Sequence, residues 1–264
     1  MIIHHYTSIN ILALILKYKS IRFNRLDRVD DVEEYENGSG PAKIKLGKYQ
    51  FVSCWTKDSS ENISLWKMYS DYSGVRISLD EDMFVTYKVN ENFESFFRYP
   101  IAYEDDCFIS SFMNQAKLYD IEYVDDLEEK IKSAIMTSSS KTWFNFSEIG
   151  KYKKKQWEFQ KESRFKITVY PMETKLLKED KNPFNVLTSI LDAKIAGIQN
   201  NKHISRTYFD IPLKDETLSN MTVMLGPLTT DSDMIIVESL LKQYCPTAKI
   251  VKSSFWGKIR NKKD

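Results

Sequence analysis

Residues Trp157 to Tyr170 read WEFQKESRFKITVY. With a period of two, one side carries Trp157, Phe159, Phe165, Ile167 and Val169, with Lys161 and Ser163 between them. The other side carries Glu158, Gln160, Glu162, Arg164, Lys166, Thr168 and Tyr170. Successive side chains leave a strand on opposite faces, whereas a helix would scatter these residues around its cylinder. The stretch is therefore predicted to be a strand, central to a sheet. Gln160, Glu162 and Arg164 then stand in a row, roughly 7 Å apart, from a rise of about 3.3 Å per residue. That row has two readings. It is a solvated face with a ladder of ion pairs, or a carboxylate and its neighbours presented into a cleft.

Outward from this strand, short strands alternate with helical patterns. To the N-terminal side, strands are expected at Ile2–Tyr6, Ile21–Phe23, Tyr49–Thr56, Val75–Leu79 and Tyr99–Glu104. Helices are expected from Ile9 to Lys19 and, capped by Ser59 or Ser60, through Tyr72. The acidic run Arg25–Gly38 reads as a loop with at most one helical turn. Residues 105–155 carry Phe108, Phe112, Leu118, Leu127, Ile131 and Ile135 at helical spacing, which predicts a helical insertion beside the sheet. Beyond the central strand come a helix within Asn182–Asn200, strands at Tyr208–Leu213 and Met221–Leu225, an amphipathic helix Asp231–Tyr244 and a strand Lys249–Ser253. The pattern is that of one mixed α+β domain over residues 1–264, with a flexible tail from 257 to 264. No GxGxxG or GxxxxGK[ST] fingerprint occurs, so neither a Rossmann nor a P-loop site is expected.

Composition narrows the function classes. Of 264 residues, 42% are hydrophobic and 13% aromatic, enough for a substantial core. The 38 basic and 37 acidic residues leave a net charge of +1, so no global field demands a nucleic acid or a membrane. Cys54, Cys107 and Cys245 are odd in number and lack CxxC spacing, which argues against disulfides or structural zinc and for a reducing compartment. Met1 leads directly into IIHHYTS with no signal-peptide pattern, and no run approaches the roughly 18 apolar residues of a membrane span. A soluble, cytoplasmic protein is expected.

Three constellations carry possible chemistry. His5-Tyr6-Thr7-Ser8 sits where a strand meets a helix N-terminus, a place where backbone N–H groups meet phosphate or carboxamide. FVSCWT followed by SLWKMY runs a strand into a helix bearing Trp66 and Tyr69, either core or a platform for a flat ligand, with Ser53 and Ser64 nearby. The third is Gln160-Lys161-Glu162. No metal-ligand cluster and no nucleophile elbow accompanies them. The basic run Lys151–Lys155 is a solvated helix end or a contact to a phosphate backbone.

The segments HYTS, IRFNRLDRVDDVEE, FVSCWTKDSSENISLWKMYSDYSGVRISL, KQWEFQKESRFKI and MLGP follow one another from about His5 to Arg260. In that order they resemble a bacterial family labelled as a domain of unknown function, whose members occur in phage-defence settings. The chain departs at RVDDVEE, where Asp30 and Val32 stand in place of the Asn and Pro of a VNDPEE pattern. The motif order also resembles the ADP-ribosyltransferase layout. That resemblance implies a mostly antiparallel sheet core of this type, with NAD as substrate and no metal. By it, His5 matches the His that holds the NAD ribose, with Tyr6 and Thr7 beside it. Tyr69 matches the Tyr stacked on nicotinamide, Ser53 or Ser64 belongs to the second motif, and Glu162 matches the catalytic Glu with Gln160 as its pair. Arg164 is then placed to bind a diphosphate or to keep Glu162 ionised. The implied function is an NAD-dependent ADP-ribosyltransferase or NAD glycohydrolase, a toxin or antiviral effector modifying a protein or nucleic acid and controlled by an antitoxin or other regulatory protein. The alternatives are a non-catalytic nucleotide- or partner-binding module and a metal-independent RNase using His5, Glu162 and Arg164.

Overall fold

The computed structural model describes residues 1–36, 44–85, 101–104, 106–110, 117–137, 142–172 and 182–260. Strand β1 (Ile2–Thr7) leads into helix α1 (Ile9–Tyr18), then β2 (Ser20–Arg25), the short helix α2 (Glu33–Glu36), β3 (Gln50–Thr56), α3 (Ile63–Ser70) and β4 (Val75–Asp80). Short strands follow: β5 (Ile101–Glu104), β6 (Cys107–Ser110), β7 (Lys117–Asp120) and β8 (Glu122–Val124). After α4 (Leu127–Ser133) come β9 (Ile135–Thr137), β10 (Thr142–Phe144) and β11 (Tyr152–Lys154). The long strand β12 (Glu162–Pro171) precedes α5 (Pro183–Asp192), β13 (Tyr208–Pro212), α6 (Asp215–Ser219), β14 (Thr222–Leu225), α7 (Asp231–Tyr244) and β15 (Lys249–Lys252). Among the described residues eleven strands form one sheet, ordered β15-β14-β4-β1-β3-β12-β6-β5. In addition, β13 joins β2, β2 joins β3, and β7 joins β12. Only β14 and β15, linked by α7, pair in parallel in this sheet; the molecule is mixed α+β with a mostly antiparallel sheet.

The central strand is real but starts later than its alternation predicts. Lys155–Gln160 is a turn of 3-10 helix, and Lys161, at φ 44°, resets the chain into β12 at Glu162. Trp157 and Phe159 mimic the strand period because their rings lie together at 6.1 Å on that turn. Gln160 therefore does not extend the row of Glu162 and Arg164. All ten residues of β12 are buried, so the solvated-face reading is overturned. Phe165, Ile167 and Val169 enter the main core. On the other face a covering segment supplies carbonyls: Lys166 Nζ donates to those of Phe146, Ser147 and Ile149 at 3.1, 2.6 and 2.8 Å. The large majority of buried polar groups in folded proteins are partnered in this way.

Other departures have local causes. The helix after β3 is capped by Asn62, whose side chain accepts from the N–H groups of Ser64 and Leu65, rather than by Ser59 or Ser60. Among the described residues of 105–155 the expected helical insertion is not found: the short strands β6 to β11 outnumber the single seven-residue helix α4. Short apolar runs such as CFIS carry too few residues to separate the two periods. Phe112 and residues 261–264 of the expected tail lie outside the described residues.

Gly74 marks a close approach. A Cβ there would lie 2.2 Å from the carbonyl oxygen of Thr7 and 2.4 Å from Cβ of Ser70, where the ends of β1 and α3 converge. Gly74→Ala is expected to cost about 1–3 kcal/mol in urea unfolding; an unchanged midpoint would show that the junction yields freely.

Candidate functional site

The sheet splits beside β3. β1 pairs along its whole length with β4 but meets β3 only at His4↔Thr56. β2 takes over further along, at Asn24↔Val52 and Arg25↔Phe51. Between these points the carbonyl of Cys54 accepts a hydrogen bond from Nδ1 of His5, at 2.7 Å, in place of a ladder partner. The His5 ring leans on Trp55 at 5.1 Å. Burial pushes the His5 pKa down against that hydrogen bond, so the neutral ring with Nδ1–H donating leaves Nε2 as an acceptor.

Two spaces open at the split. A pocket of about 50 Å³ is lined by His4, His5, Tyr6, Cys54, Tyr69 and Glu162, with Gln160 and Leu65 among its other walls. A groove of about 580 Å³ shares His5, Tyr6, Cys54 and Tyr69 with it and adds Thr7, Ser53 and residues of α1, β2 and β13. Tyr69 stands at the junction, its hydroxyl donating to Asp30 Oδ2 at 3.1 Å and accepting from Gln160 Nε2 at 3.2 Å. Thus His5, Tyr69, Gln160 and Glu162, drawn from β1, α3, the 3-10 turn and the start of β12, border one pocket.

Glu162 is held by cations. Lys153 Nζ reaches Oε2 at 2.7 Å, and Arg164 reaches Oε1 with Nε at 2.7 Å and Nη2 at 2.6 Å. Both cations also meet Glu34: Arg164 Nη1 at 2.5 Å and Lys153 Nζ at 3.3 Å. Lys153 further donates to Gln160 Oε1 at 2.7 Å, and Arg164 Nη1 to the Gly150 carbonyl at 3.1 Å. The buried cluster sets two carboxyl groups against two cations, and burial pushes the Glu34 carboxyl upward against the pull of Arg164 and Lys153. Burial pushes the Glu162 carboxyl upward, but Arg164 and Lys153 outweigh it and hold it at about 2. The group is ionised at neutral pH.

The register adds a residue that alternation alone assigned to no role. His4↔Thr56 and Thr56↔Glu162 put His4 on the sheet face of Glu162, with His4 Nδ1 2.7 Å from Ser78 Oγ. Burial, then Arg76, lowers the His4 pKa to about 4. A histidine depressed in the fold binds fewer protons there than in the unfolded chain, so its stabilisation is full above about pH 6.5 and is lost as pH falls through 4. Glu162 acts in the same sense, losing its contribution between about 4.5 and 2. Melting temperature is expected to fall from pH 6.5 to 4, and His4→Gln to flatten that slope. An equally steep slope in the variant would contradict a neutral, buried His4.

The remaining sequence candidates divide. Thr7 and Ser53 line the groove, and Ser53 Oγ accepts from Trp55 Nε1 at 3.0 Å. Tyr6 borders both spaces while its hydroxyl accepts from the Asn62 N–H. Ser64 is exposed at the start of α3 and borders neither space. Trp66 is fully buried, edge-on to Tyr6 at 4.8 Å, and is core rather than platform. Arg164 has no exposure and pairs with Glu162 and Glu34. Sequence reasoning missed Lys153 and Glu34, which lie inside a basic run read as a solvated helix end or phosphate contact and an acidic run read as a loop. Among the described residues no helix is long and apolar enough to cross a membrane. Comparison with protein-family models, with curated proteins and with solved structures yields no match.

Proposed function

We propose that the protein is an NAD-dependent enzyme of ADP-ribosyltransferase type. The observation that carries this reading is the convergence of His5, Tyr69, Gln160 and Glu162 on one pocket beside a groove. The bond between nicotinamide nitrogen and ribose C1′ breaks with its electron pair leaving on nicotinamide. The resulting oxocarbenium-like ribose is captured by an acceptor nucleophile or by water, which gives up its proton. In this reading Glu162 stabilises the developing positive charge, Tyr69 carries the nicotinamide ring and His5 Nε2 holds a ribose hydroxyl. The pocket itself has room for a few waters rather than a sugar. The substrate therefore enters as Tyr69 turns away from Asp30 and joins the two spaces. The family resemblance favours a defence effector or toxin, acting in the cytoplasm on a protein or nucleic acid and restrained by a regulatory protein.

A second reading, a nucleotide-binding module without turnover, draws on a different observation. Both oxygens of Glu162 are engaged by Lys153 and Arg164 inside a buried cluster. Incubation with NAD separates the two. The enzyme reading expects free nicotinamide, and ADP-ribose either free or on an acceptor. NAD bound but recovered intact would favour the module, and RNA cut without NAD would favour a nuclease.

A further inference from the structure

The far end of the groove is built from residues that the proposed chemistry leaves unused. Along β2 and β13 the alternation turns Ile21, Phe23, Phe209 and Ile211 inward and Arg22, Asn24, Tyr208 and Asp210 outward. The last four lie across the sheet from one another, in the register Tyr208↔Asn24 and Asp210↔Arg22. The guanidinium of Arg22 sits 3.7 Å from the centre of the Tyr208 ring. Asp210 accepts from its Nε at 2.8 Å and its Nη2 at 2.9 Å. This bidentate grip fixes the guanidinium plane and neutralises its charge. Arg22, Tyr208 and Asp210 all line the groove, as does Tyr18 of α1, which is 63% exposed.

A neutral, flat, polarisable surface of this kind suits a nucleobase, because every base has a π-face that stacks on an aromatic or guanidinium plane. A second cation lines the same groove. Arg28 is exposed and, among the described residues, no carboxylate pairs with it. An unpaired guanidinium in the same groove as a stacking platform matches the phosphate of a nucleotide. From β13 to β12 is three strand spacings, about 14 Å, so a ligand spanning platform and pocket is longer than a mononucleotide.

We propose that the groove holds a purine-nucleotide subsite, in which the base stacks on Arg22 backed by Tyr208 at the far end and the phosphate meets Arg28 further along the groove. The proposal rests on the NAD reading in taking the occupant to be the adenylate half of the substrate. Nicotinamide mononucleotide lacks that half and should gain nothing from these residues.

The test is calorimetric titration of the full chain with AMP, adenosine and nicotinamide mononucleotide, for the wild type, Arg22→Ala, Tyr208→Ala and Arg28→Ala. Arg22 and Asp210 are a half-exposed surface pair, whose loss leaves the fold intact. AMP is expected to bind the wild type, and Arg22→Ala and Tyr208→Ala to weaken it at least about tenfold, as for loss of one base stack. Arg28→Ala should weaken AMP more than adenosine, and nicotinamide mononucleotide should be indifferent to Arg22→Ala. No AMP binding, or equal binding by Arg22→Ala and Tyr208→Ala, overturns the subsite. Nicotinamide release from NAD, measured alongside, tells the two ideas apart. AMP binding without release sinks the NAD chemistry and keeps the subsite. Release with a KM for NAD unchanged in Arg22→Ala sinks the subsite and keeps the chemistry.

Discussion

Glu162→Gln is expected to slow nicotinamide release from NAD by at least about 100-fold, with little change in KM. The magnitude is that of losing one preorganised contact to charge developing in a transition state. Glu162 is suited to that role because Arg164 and Lys153 hold it ionised near a pocket edge. Its amide keeps the shape and can still accept from either cation, while the negative charge is gone. A change in kcat without a change in KM points to an interaction made in the transition state alone. Full turnover by the variant would remove Glu162 from the chemistry and leave the convergence at β12 without a catalytic meaning. Since the substitution also unbalances the cluster, the comparison is made well below the melting temperature of the variant.

The second large effect is on stability. Glu34 is fully buried and shares Arg164 and Lys153 with Glu162, from a segment some 130 residues away in the chain. Glu34→Ala leaves two buried cations facing one carboxylate. Breaking a buried pair from one side costs about 3–5 kcal/mol, because the remaining charge has no solvent. For a chain of this size that lowers the melting temperature by roughly 10 °C. Asp125→Ala serves as the control. Its pair with Lys155, 2.6 Å long, is largely exposed on both sides and should be worth no more than about 1 kcal/mol. If Glu34→Ala melts with Asp125→Ala, the buried cluster does not hold the acidic segment to the sheet.

What could be read from residues alone follows from where the period is unambiguous. Asp231–Tyr244 has fourteen residues of amphipathic pattern and a capping Thr230, and the helix matches its expected bounds. β3 and β4 were legible from β-branched and aromatic runs. The start of β12 was not, since two aromatics on a 3-10 turn reproduce a strand period, and only the positive φ of Lys161 separates them. Residues 105–155 failed for the opposite reason, as strands of three or four residues carry too little period to identify. His5, Tyr69, Gln160 and Glu162 were proposed from motif order, and all four line one pocket. Lys153 and Glu34 stayed hidden because a charge run reads as solvated until a partner of opposite sign is known to face it. Their distances to Arg164 and Glu162 arise from tertiary packing, which no local pattern encodes.

A crystal structure of Glu162→Gln with NAD measures directly whether NAD occupies the split beside β3. The nicotinamide ring is expected against the Tyr69 ring, with His5 Nε2 within hydrogen-bond distance of a ribose hydroxyl and C1′ facing residue 162. NAD bound elsewhere on the surface, or a pocket still closed by Tyr69 on Asp30 at saturating NAD, would contradict that placement.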